Sequence, residues 1–344
     1  MNHVDPKQPV RTPSSKIKRI LSAGLPVAIS AAFVIWVIHR IHEPTEVWNS
    51  ISNASLPLLA AIVPVSLLSH WFRASRWCRF IGKPLPRSYA FSSVMIGYAI
   101  NAVIPRGGEI ARIVNMNRMT KAPYPNLFAT LIVERILDVV VLVGFLGFSL
   151  MLDGKRISET FPTVARLGPS VVVLAAVGLI LMVLFGFAGD FLSRMAGRLA
   201  GKFHKGLGKR LEAFAREGAE GFSLVRKPLP ALLATAETAA IWALYWFTFA
   251  LGLSAFGLLE SVGYRGTTVT FTMTSFSMMV PSQGGIGVFH TLGQQALSQL
   301  YQVDVDQALA WATVVHAILM FGVGVLCGVV VWGLQGFFPR TEGG

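Results

Sequence analysis

The sequence has few charges for its length, and acidic residues are especially scarce. Only 14% of the 344 residues are charged, whereas about a quarter is usual in a soluble domain. Hydrophobic residues make up 53%, and the mean hydropathy is +0.59. A soluble protein of this size needs more polar surface, so the composition predicts a protein embedded in a membrane.

Cysteine is almost absent, and Cys78 and Cys327 both lie in or beside apolar stretches. They offer neither a disulfide framework nor a thiolate metal site, and we expect no metal and no cofactor. Motifs of zinc peptidases, serine hydrolases, P-loop proteins and aspartate-rich transferases are also missing. This favours a transporter, and an enzyme is the less favoured class.

Long apolar runs are abundant. A helix needs about 20 mostly apolar residues to cross the hydrocarbon core. Two runs, 89–120 and 267–300, are apolar but interrupted by Pro and Gly. The uninterrupted runs cover residues 20–38, 55–72, 127–152, 167–187, 229–259 and 308–332. The length of the first favours a retained signal-anchor helix over a cleaved signal peptide.

The net charge of +13 is unevenly distributed. Bases dominate residues 1–19 and 189–228 and the connection after the second run, whereas acids outnumber bases in the other connections. The bases after the second run are Arg73, Arg76, Arg79, Lys83 and Arg87. Because Lys and Arg mark cytoplasmic connections, we predict a multi-pass protein of the cell (inner) membrane. Both termini, a basic N-terminal segment (1–19) and a loop (189–228) would be cytoplasmic, and no nucleic-acid partner is expected.

The two interrupted runs are predicted to be re-entrant helical hairpins. A full crossing by residues 89–120 would place Arg106, Arg112 and Lys121 outside, against the charge bias. The acidic connection after residue 300 places the entry of the second hairpin on the outer side. Each half then has three crossings, so the halves, about 20–152 and 167–338, are inverted relative to each other. The alternative is that Pro and Gly only kink two crossing helices.

The turns of the two hairpins match in sequence. Pro105 and Pro281 are 176 positions apart, and each is followed by paired glycines. Broken helices at matching positions of inverted repeats indicate a transport site near the membrane midplane. The sequence therefore predicts an all-α integral membrane protein with about six full spans plus two re-entrant helical hairpins arranged as inverted repeats. Its transmembrane domain would cover residues 20–338.

Charged residues surround the first turn. If a helix starts at Gly107, then Arg106, Glu109 and Arg112 recur at three-residue spacing on one face. The free N–H groups at that start, next to Gly108, and two guanidinium groups would suit a phosphate. The alternative is an Arg–Glu pair that closes the hairpin.

The next span carries Glu134, Arg135 and Asp138 within its first turns. The two carboxylates share a face, and Arg135 can pair with Asp138. Because three ionisable groups inside a span cannot all face lipid, we expect them to face the first hairpin, where Arg106 and Arg112 can pair with them. The sequence leaves open whether this network binds a substrate or locks the hairpin.

The second turn lacks carboxylates, and its glycines allow close approach of backbone to a ligand. Its candidate ligand-contacting residues are Pro281, Gln283, Gly284, Gly285, Gly287 and His290. In later spans, Glu237 and His316 suggest either proton or ion coupling or interhelical hydrogen bonds. The amphipathic segment 203–222 is expected to lie on the inner leaflet, with an ordinary surface helix as the alternative.

Three motifs together resemble the flippase-like family, also called the lysylphosphatidylglycerol synthase transmembrane region, over about residues 20–338. They are Arg106-Gly107-Gly108-Glu109-x-x-Arg112, Glu134-Arg135-x-x-Asp138 and Pro281-x-x-Gly284-Gly285-x-Gly287. The family usually has a Glu shortly after the last of these glycines. This sequence has His290 there, so no carboxylate role is implied at that position.

The resemblance implies a function in lipid handling. In the family, this domain moves an aminoacylated phospholipid between leaflets when it is fused to an aminoacyl-transferase. In archaeal relatives it accompanies a dolichol-phosphate glycosyltransferase domain, and one stand-alone relative is associated with hopanoid lipids. We therefore expect a stand-alone translocator of an anionic or phosphate-bearing lipid. Its expected partners are membrane lipids, with lipid-synthesis enzymes and a second copy of the chain as further candidates.

Two alternatives to translocation stay open on the sequence. One is an intramembrane head-group or glycosyl transferase that uses Glu109, Glu134 or Asp138 as a base. The other is a non-transporting partner of a lipid-synthesis complex.

Overall fold

The computed structural model describes residues 43–104, 106–202, 204–279 and 284–335, together with residue 35. Over these ranges the chain is helical and contains no β-strand. The first helices are α1 (Pro44–Ser52), α2 (Leu56–Ile81), α3 (Arg87–Asn101), α4 (Gly107–Thr120), α5 (Tyr124–Thr160) and α6 (Pro162–Gly201). The later ones are α7 (Lys205–Gly221), α8 (Pro228–Ala255), α9 (Leu259–Ser275), α10 (Val288–Gln295), α11 (Val305–Ala317) and α12 (Gly328–Leu334).

Five helical stretches are long and apolar enough to cross a membrane: α2, α5, α6, α8 and the continuous stretch from α11 to α12. They coincide with five of the six predicted spans. The remaining run, residues 20–38, lies outside the described residues except for residue 35. Wider, π-helical turns over Ile318–Cys327 join α11 to α12.

Two predicted connections are helical in the structure. The interpretation of Arg73, Arg76 and Arg79 as loop charges is wrong, because α2 continues past Phe72 to Ile81. The apolar run ends at Phe72. The helix continues beyond it because Arg73 and Arg76 are buried among carboxylates rather than exposed to water. Likewise, α6 and α7 occupy most of residues 189–228.

Helices α3 and α4 fold back on each other as an antiparallel pair. Gly97 on α3 lies against Gly108 on α4, and the Asn115 side-chain amide donates to the Ser93 hydroxyl at 2.8 Å. The helices have 15 and 14 residues, so each is about 22 Å long, shorter than the roughly 30 Å hydrocarbon core. Neither helix alone is long enough to cross a membrane.

Helices α9 and α10 form a second antiparallel pair. Gly266 near the start of α9 lies against Tyr301, beyond the end of α10, and Gly293 on α10 lies against Thr274 near the end of α9. The chain turns between them through a 3₁₀ segment, Phe276–Met279, and through residues 280–283, which the structure does not describe.

The two helix pairs end alike. Lys121 and Gln302 both have a left-handed backbone, with φ of 55° and 57°. Each lies three residues before the next long helix, which begins at Tyr124 and at Val305 respectively. Left-handed residues other than glycine are uncommon, and these two share the same distance along the chain from the helix that follows.

Helix α2 connects the two halves. It runs antiparallel to α8: the Ser55 N–H donates to the Ala255 carbonyl at 2.8 Å, and Arg76 donates to Thr238 at 2.9 Å. Its first turns pack in an apolar core with α8 and α11 around Ile62. Its last turns pack in a second core, around Trp77, with α3, α4 and α5.

Candidate functional site

The first helix pair closes at a tight glycine contact. A Cβ atom on Gly108 would lie 1.9 Å from the Gly97 carbonyl oxygen, so only glycine fits. Helix α4 begins at Gly107, as predicted. However, the Gly107 N–H donates to the Ile104 carbonyl at 2.9 Å, and the Gly108 N–H donates to the Asn101 side-chain oxygen at 2.8 Å. Two of the helix-start donors that were expected to be free for a phosphate are therefore already bonded.

Glu134 is the centre of a buried ion network. Its side chain is fully buried and accepts hydrogen bonds from both terminal nitrogens of Arg112, at 3.0 and 2.9 Å. Arg73 donates a third, at 2.6 Å. Of the two α5 carboxylates predicted to face Arg112, Glu134 pairs with it, whereas the arginine partners of Asp138 are Arg73, Arg76 and Arg135. It follows that Arg112 is engaged within the protein, and the expectation that its guanidinium is free for a phosphate is wrong.

Asp138 lies one turn further along α5 and binds Arg73 again, together with one more guanidinium group, that of Arg76. Arg73 donates to its Oδ2 and Arg76 to its Oδ1, both at 3.1 Å. Arg135 is 3.6 Å from Oδ2, as the predicted i,i+3 pair. Buried charges are stable only when they are paired and hydrogen-bonded, and this network meets that condition by joining α2, α4 and α5.

Arg135 and Glu109 form the exposed edge of the network. The two side chains lie 3.1 Å apart and are each about one-third exposed. The network thus contains four guanidinium groups and three carboxylates. The Nε–H groups of Arg73, Arg76 and Arg112 have no hydrogen-bond partner among the described residues. The network therefore has an excess of positive charge.

The sequence reasoning missed Arg73 and Arg76 as site residues. Both are almost completely buried, and Arg112 stacks its guanidinium over the ring of nearby Trp77 at 4.1 Å. The signal available was the three-residue spacing of Arg73, Arg76 and Arg79, which places them near one another on a helix that continues past the apolar run.

The second turn is held by two histidines. His316 on α11 lies with Nε2 2.8 Å from the Gly284 carbonyl oxygen. Since a carbonyl can only accept, Nε2 donates. His290 accepts from the Gly287 N–H at 3.4 Å through Nδ1. Gly284, Gly285 and Gly287 all have positive φ, of 57°, 81° and 103°, which explains the glycines of this motif.

Both turns line one cavity of about 560 Å³, which we call the polar cavity because five charged side chains lie among its apolar lining residues. Seven of the predicted site residues line it: Arg106, Gly108, Glu109, Arg112, Arg135, Gly284 and Gly285. The cavity also receives side chains that the sequence did not single out, among them Arg73, Tyr98, Asn101, Ser277 and Phe289.

The other predicted site residues lie elsewhere. Gly107, Glu134, Asp138, Gly287 and His290 do not line the cavity. Glu134 and Asp138 instead hold Arg73 in place beneath it. Pro281 and Gln283 lie outside the described residues.

Two further polar clusters join helices. Glu237 on α8 accepts hydrogen bonds from Ser75 at 2.6 Å and Arg79 at 2.9 Å, both on α2. These are interhelical hydrogen bonds, the alternative to proton or ion coupling that the sequence offered for this residue. Near the far end of α5, Asp153 accepts from Arg265 at 2.7 Å and from the Tyr301 hydroxyl at 2.7 Å.

Tyr301 remains a donor in this cluster. Burial, and then the hydrogen bond to Asp153, raise the pKa of the Tyr301 hydroxyl above its ordinary value. The cluster lies 19 residues beyond Glu134, about 28 Å along a helix. Within the described ranges, no group of three or more His, Cys, Asp or Glu side chains could hold a metal ion.

A family model described as the lysylphosphatidylglycerol synthase TM region matches residues 24–328, which confirms the family resemblance. The glycosyltransferase AglD of Haloferax volcanii is 28% identical over 113 residues, which cover 32% of this chain and 18% of that protein. The chain thus spans less than a fifth of that relative's length. No solved structure matches the chain. The family and the five long apolar helices identify a multi-pass membrane protein.

Proposed function

Because the chain belongs to the family of the lysylphosphatidylglycerol synthase transmembrane region, we propose that it moves an anionic or phosphate-bearing lipid between the leaflets of the cell membrane. The observation that carries the proposal is that two broken helix pairs, one from each half of the chain, turn at a single polar cavity. Irregular backbone persists at membrane depth where it lines a wet cavity or is buried in protein.

In this proposal, the two helix pairs are re-entrant hairpins of an inverted repeat. Their antiparallel packing favours hairpins over two kinked crossing helices. The short lengths of α3 and α4, and the left-handed residues Lys121 and Gln302 that end the two pairs, support the same topology. The termini and residues 189–228, which include the end of α6 and all of α7, would be cytoplasmic, as the basic residues there favour.

The lipid phosphate would bind at the rim formed by Arg106 and Arg135. Both line the cavity. Arg106 is exposed and Arg135 is about one-third exposed, whereas Arg112 is almost completely buried in its pair with Glu134. Guanidinium groups bind phosphate oxygens through charge-assisted hydrogen bonds. Arg73 and Arg112 would add positive potential from behind, because the ion network has more guanidinium groups than carboxylates.

The rival function is that of an intramembrane transferase, which the name of the Haloferax relative, a glycosyltransferase, suggests. It needs a carboxylate base at the cavity. Glu134 and Asp138 are buried among several arginines and do not line the cavity. Glu109 lines it and is about one-third exposed beside Arg135, so Glu109 is the better candidate among the three carboxylates. A non-transporting partner of a lipid-synthesis complex is the third alternative.

The test is lipid movement in proteoliposomes that contain a fluorescent phosphatidylglycerol, read by chemical quenching of the outer leaflet. We expect Arg106→Gln and Arg135→Gln to slow movement severalfold. Arg118→Gln, an exposed change on α4, the helix that follows Arg106, is the matched control. Wild-type rates in both cavity variants would refute the phosphate site. No movement with the wild-type chain, together with product formed from lipid donors, would favour the transferase.

A further inference from the structure

An apolar groove of about 630 Å³ adjoins the polar cavity. Arg106 and Glu109 line both spaces. They are the charged residues among those described along the groove, and its other lining side chains are almost all hydrocarbon, from α4, α5, α6 and α7. The charged rim of the cavity is therefore also the polar end of the groove.

The groove leads away from that rim along α4 and α5. On α4, Ile110 and Val114 follow Arg106 at four-residue spacing and so continue the same face. On α5, the lining runs from Ile132 back to Tyr124. Eight residues of helix correspond to about 12 Å on either wall.

Small residues make the groove deep, and aromatic residues form its sides. Ala129 on α5 and Ala215 and Gly218 on α7 line it together with Phe128 and Phe214. Phe128 and Phe214 are 59% and 61% exposed. In a protein embedded in a bilayer, apolar side chains this exposed face hydrocarbon, so the groove opens towards lipid.

We propose that this groove binds one fatty-acyl chain of the lipid whose phosphate lies at Arg106. The inference rests on the proposed function and adds the place where the acyl part of the proposed lipid binds. The two spaces share a charged boundary, so one molecule that fits both has an anionic group joined to a hydrocarbon chain. The groove gives that chain an apolar surface while the head group occupies the polar cavity.

The test uses the purified full chain in lipid nanodiscs with a phosphatidylglycerol that carries a photoactivatable diazirine in its acyl chain. After irradiation, the labelled residues are mapped by mass spectrometry. We expect labels on Phe128, Ile132 and Phe214. Labels spread evenly over outward positions of α6, such as Val173 and Ile180, would mean that only bulk lipid contacts the groove and would overturn the proposal.

Gly218→Trp is designed to fill the groove. A Cβ atom on Gly218 would meet nothing closer than the Pro125 carbonyl oxygen at 4.0 Å, so the side chain can extend into the open space. We expect groove labelling to fall about tenfold, because the indole would take the space of part of the acyl chain. Each methylene that can no longer be buried in the groove weakens apolar binding. Gly144→Trp is the control, since a Cβ atom there meets nothing within 4 Å and the residue lies outside the groove. Unchanged labelling in folded Gly218→Trp would refute the proposal. If Gly218→Trp does not fold, Ala215→Leu is used in its place.

Competition with glycerol 3-phosphate, which has the head-group chemistry without the chain, separates this proposal from the proposed function. Gly218→Trp should leave its binding unchanged, whereas Arg106→Gln should weaken it. If the wild-type chain moves no lipid, the proposed function fails, but the labelling still decides whether the groove holds an acyl chain. If it moves lipid and Gly218→Trp alters neither labelling nor rate, the acyl-chain site alone fails. Weaker glycerol 3-phosphate binding in Gly218→Trp would also overturn a separate chain site.

Discussion

Arg112 and Glu134 form a bidentate ion pair, with hydrogen bonds of 3.0 and 2.9 Å, that fastens the first helix pair to α5. Both residues are almost completely buried. The same carboxylate also accepts from Arg73 on α2. One side chain thus fixes the relative positions of three helices on one side of the cavity.

Glu134→Gln should destabilise the protein strongly. The change removes the carboxylate charge that neutralises Arg73 and Arg112, and breaking a buried pair costs about 3–5 kcal/mol. Thermal unfolding in detergent measures the loss. Glu220→Gln, an exposed change on α7, should leave the unfolding temperature near that of the wild type. Equal stability of the two variants would show that the network is well solvated and that its charges do not depend on Glu134.

Asp138→Asn should lower stability, and Arg76→Gln should restore part of it. Without the aspartate charge, Arg76 keeps only its hydrogen bond to Thr238 among the described residues, so a buried charge is left unpaired. Arg135→Gln should restore less, because Arg135 is 3.6 Å from Asp138, is partly exposed and also contacts Glu109.

The single and double variants are compared by thermal unfolding beside lipid movement in vesicles. Equal rescue by Arg76→Gln and Arg135→Gln would contradict this ranking. A fully stable and active Asp138→Asn/Arg76→Gln variant would assign the Asp138 pair to structure alone. Wild-type lipid movement in Asp138→Asn would remove any role of this carboxylate in transport.

Gly108→Ala should disrupt the first turn. The added methyl carbon would overlap the Gly97 carbonyl oxygen at 1.9 Å, so α3 and α4 would have to separate. Overpacking of this kind typically costs about 1–3 kcal/mol, and separation would also disturb Arg106 and Arg112. We expect a lower unfolding temperature and slower lipid movement. Gly147→Ala, where a Cβ atom meets nothing within 4 Å, is the control, and a normal Gly108→Ala variant would contradict the close contact.

Single cysteines at Lys121 and Gln302 should be labelled from opposite sides of the membrane. The two residues end the two helix pairs with the same left-handed backbone, and the inverted-repeat proposal places them in the cytoplasm and outside, respectively. The experiment uses a variant that lacks Cys78 and Cys327, with a membrane-impermeant thiol reagent on intact cells and on inverted vesicles. Labelling of both positions from one side would refute the inverted repeat.

The sequence by itself determined the membrane class, five of the spans and part of the site. Apolar runs and the spacing of Glu134, Arg135 and Asp138 are local properties, and a helix fixes which side chains share a face within a few residues. Hydropathy failed at Arg73 and Arg76 for a physical reason. A hydropathy pattern places an arginine in a loop because it treats the guanidinium as a charge that needs water. Here carboxylates of another helix neutralise the charge, and they lie more than 55 positions away in the chain.

Only the tertiary structure decided that Arg106 and Gly284, almost 180 positions apart, line one cavity. It also decided that Glu134, of the two carboxylates expected to face Arg112, is the one that binds it, and that the cavity adjoins an apolar groove. Each of these depends on the packing of whole helices against one another. A pattern along the chain shows which residues share a helix face, but the face that they meet is fixed by long-range contacts.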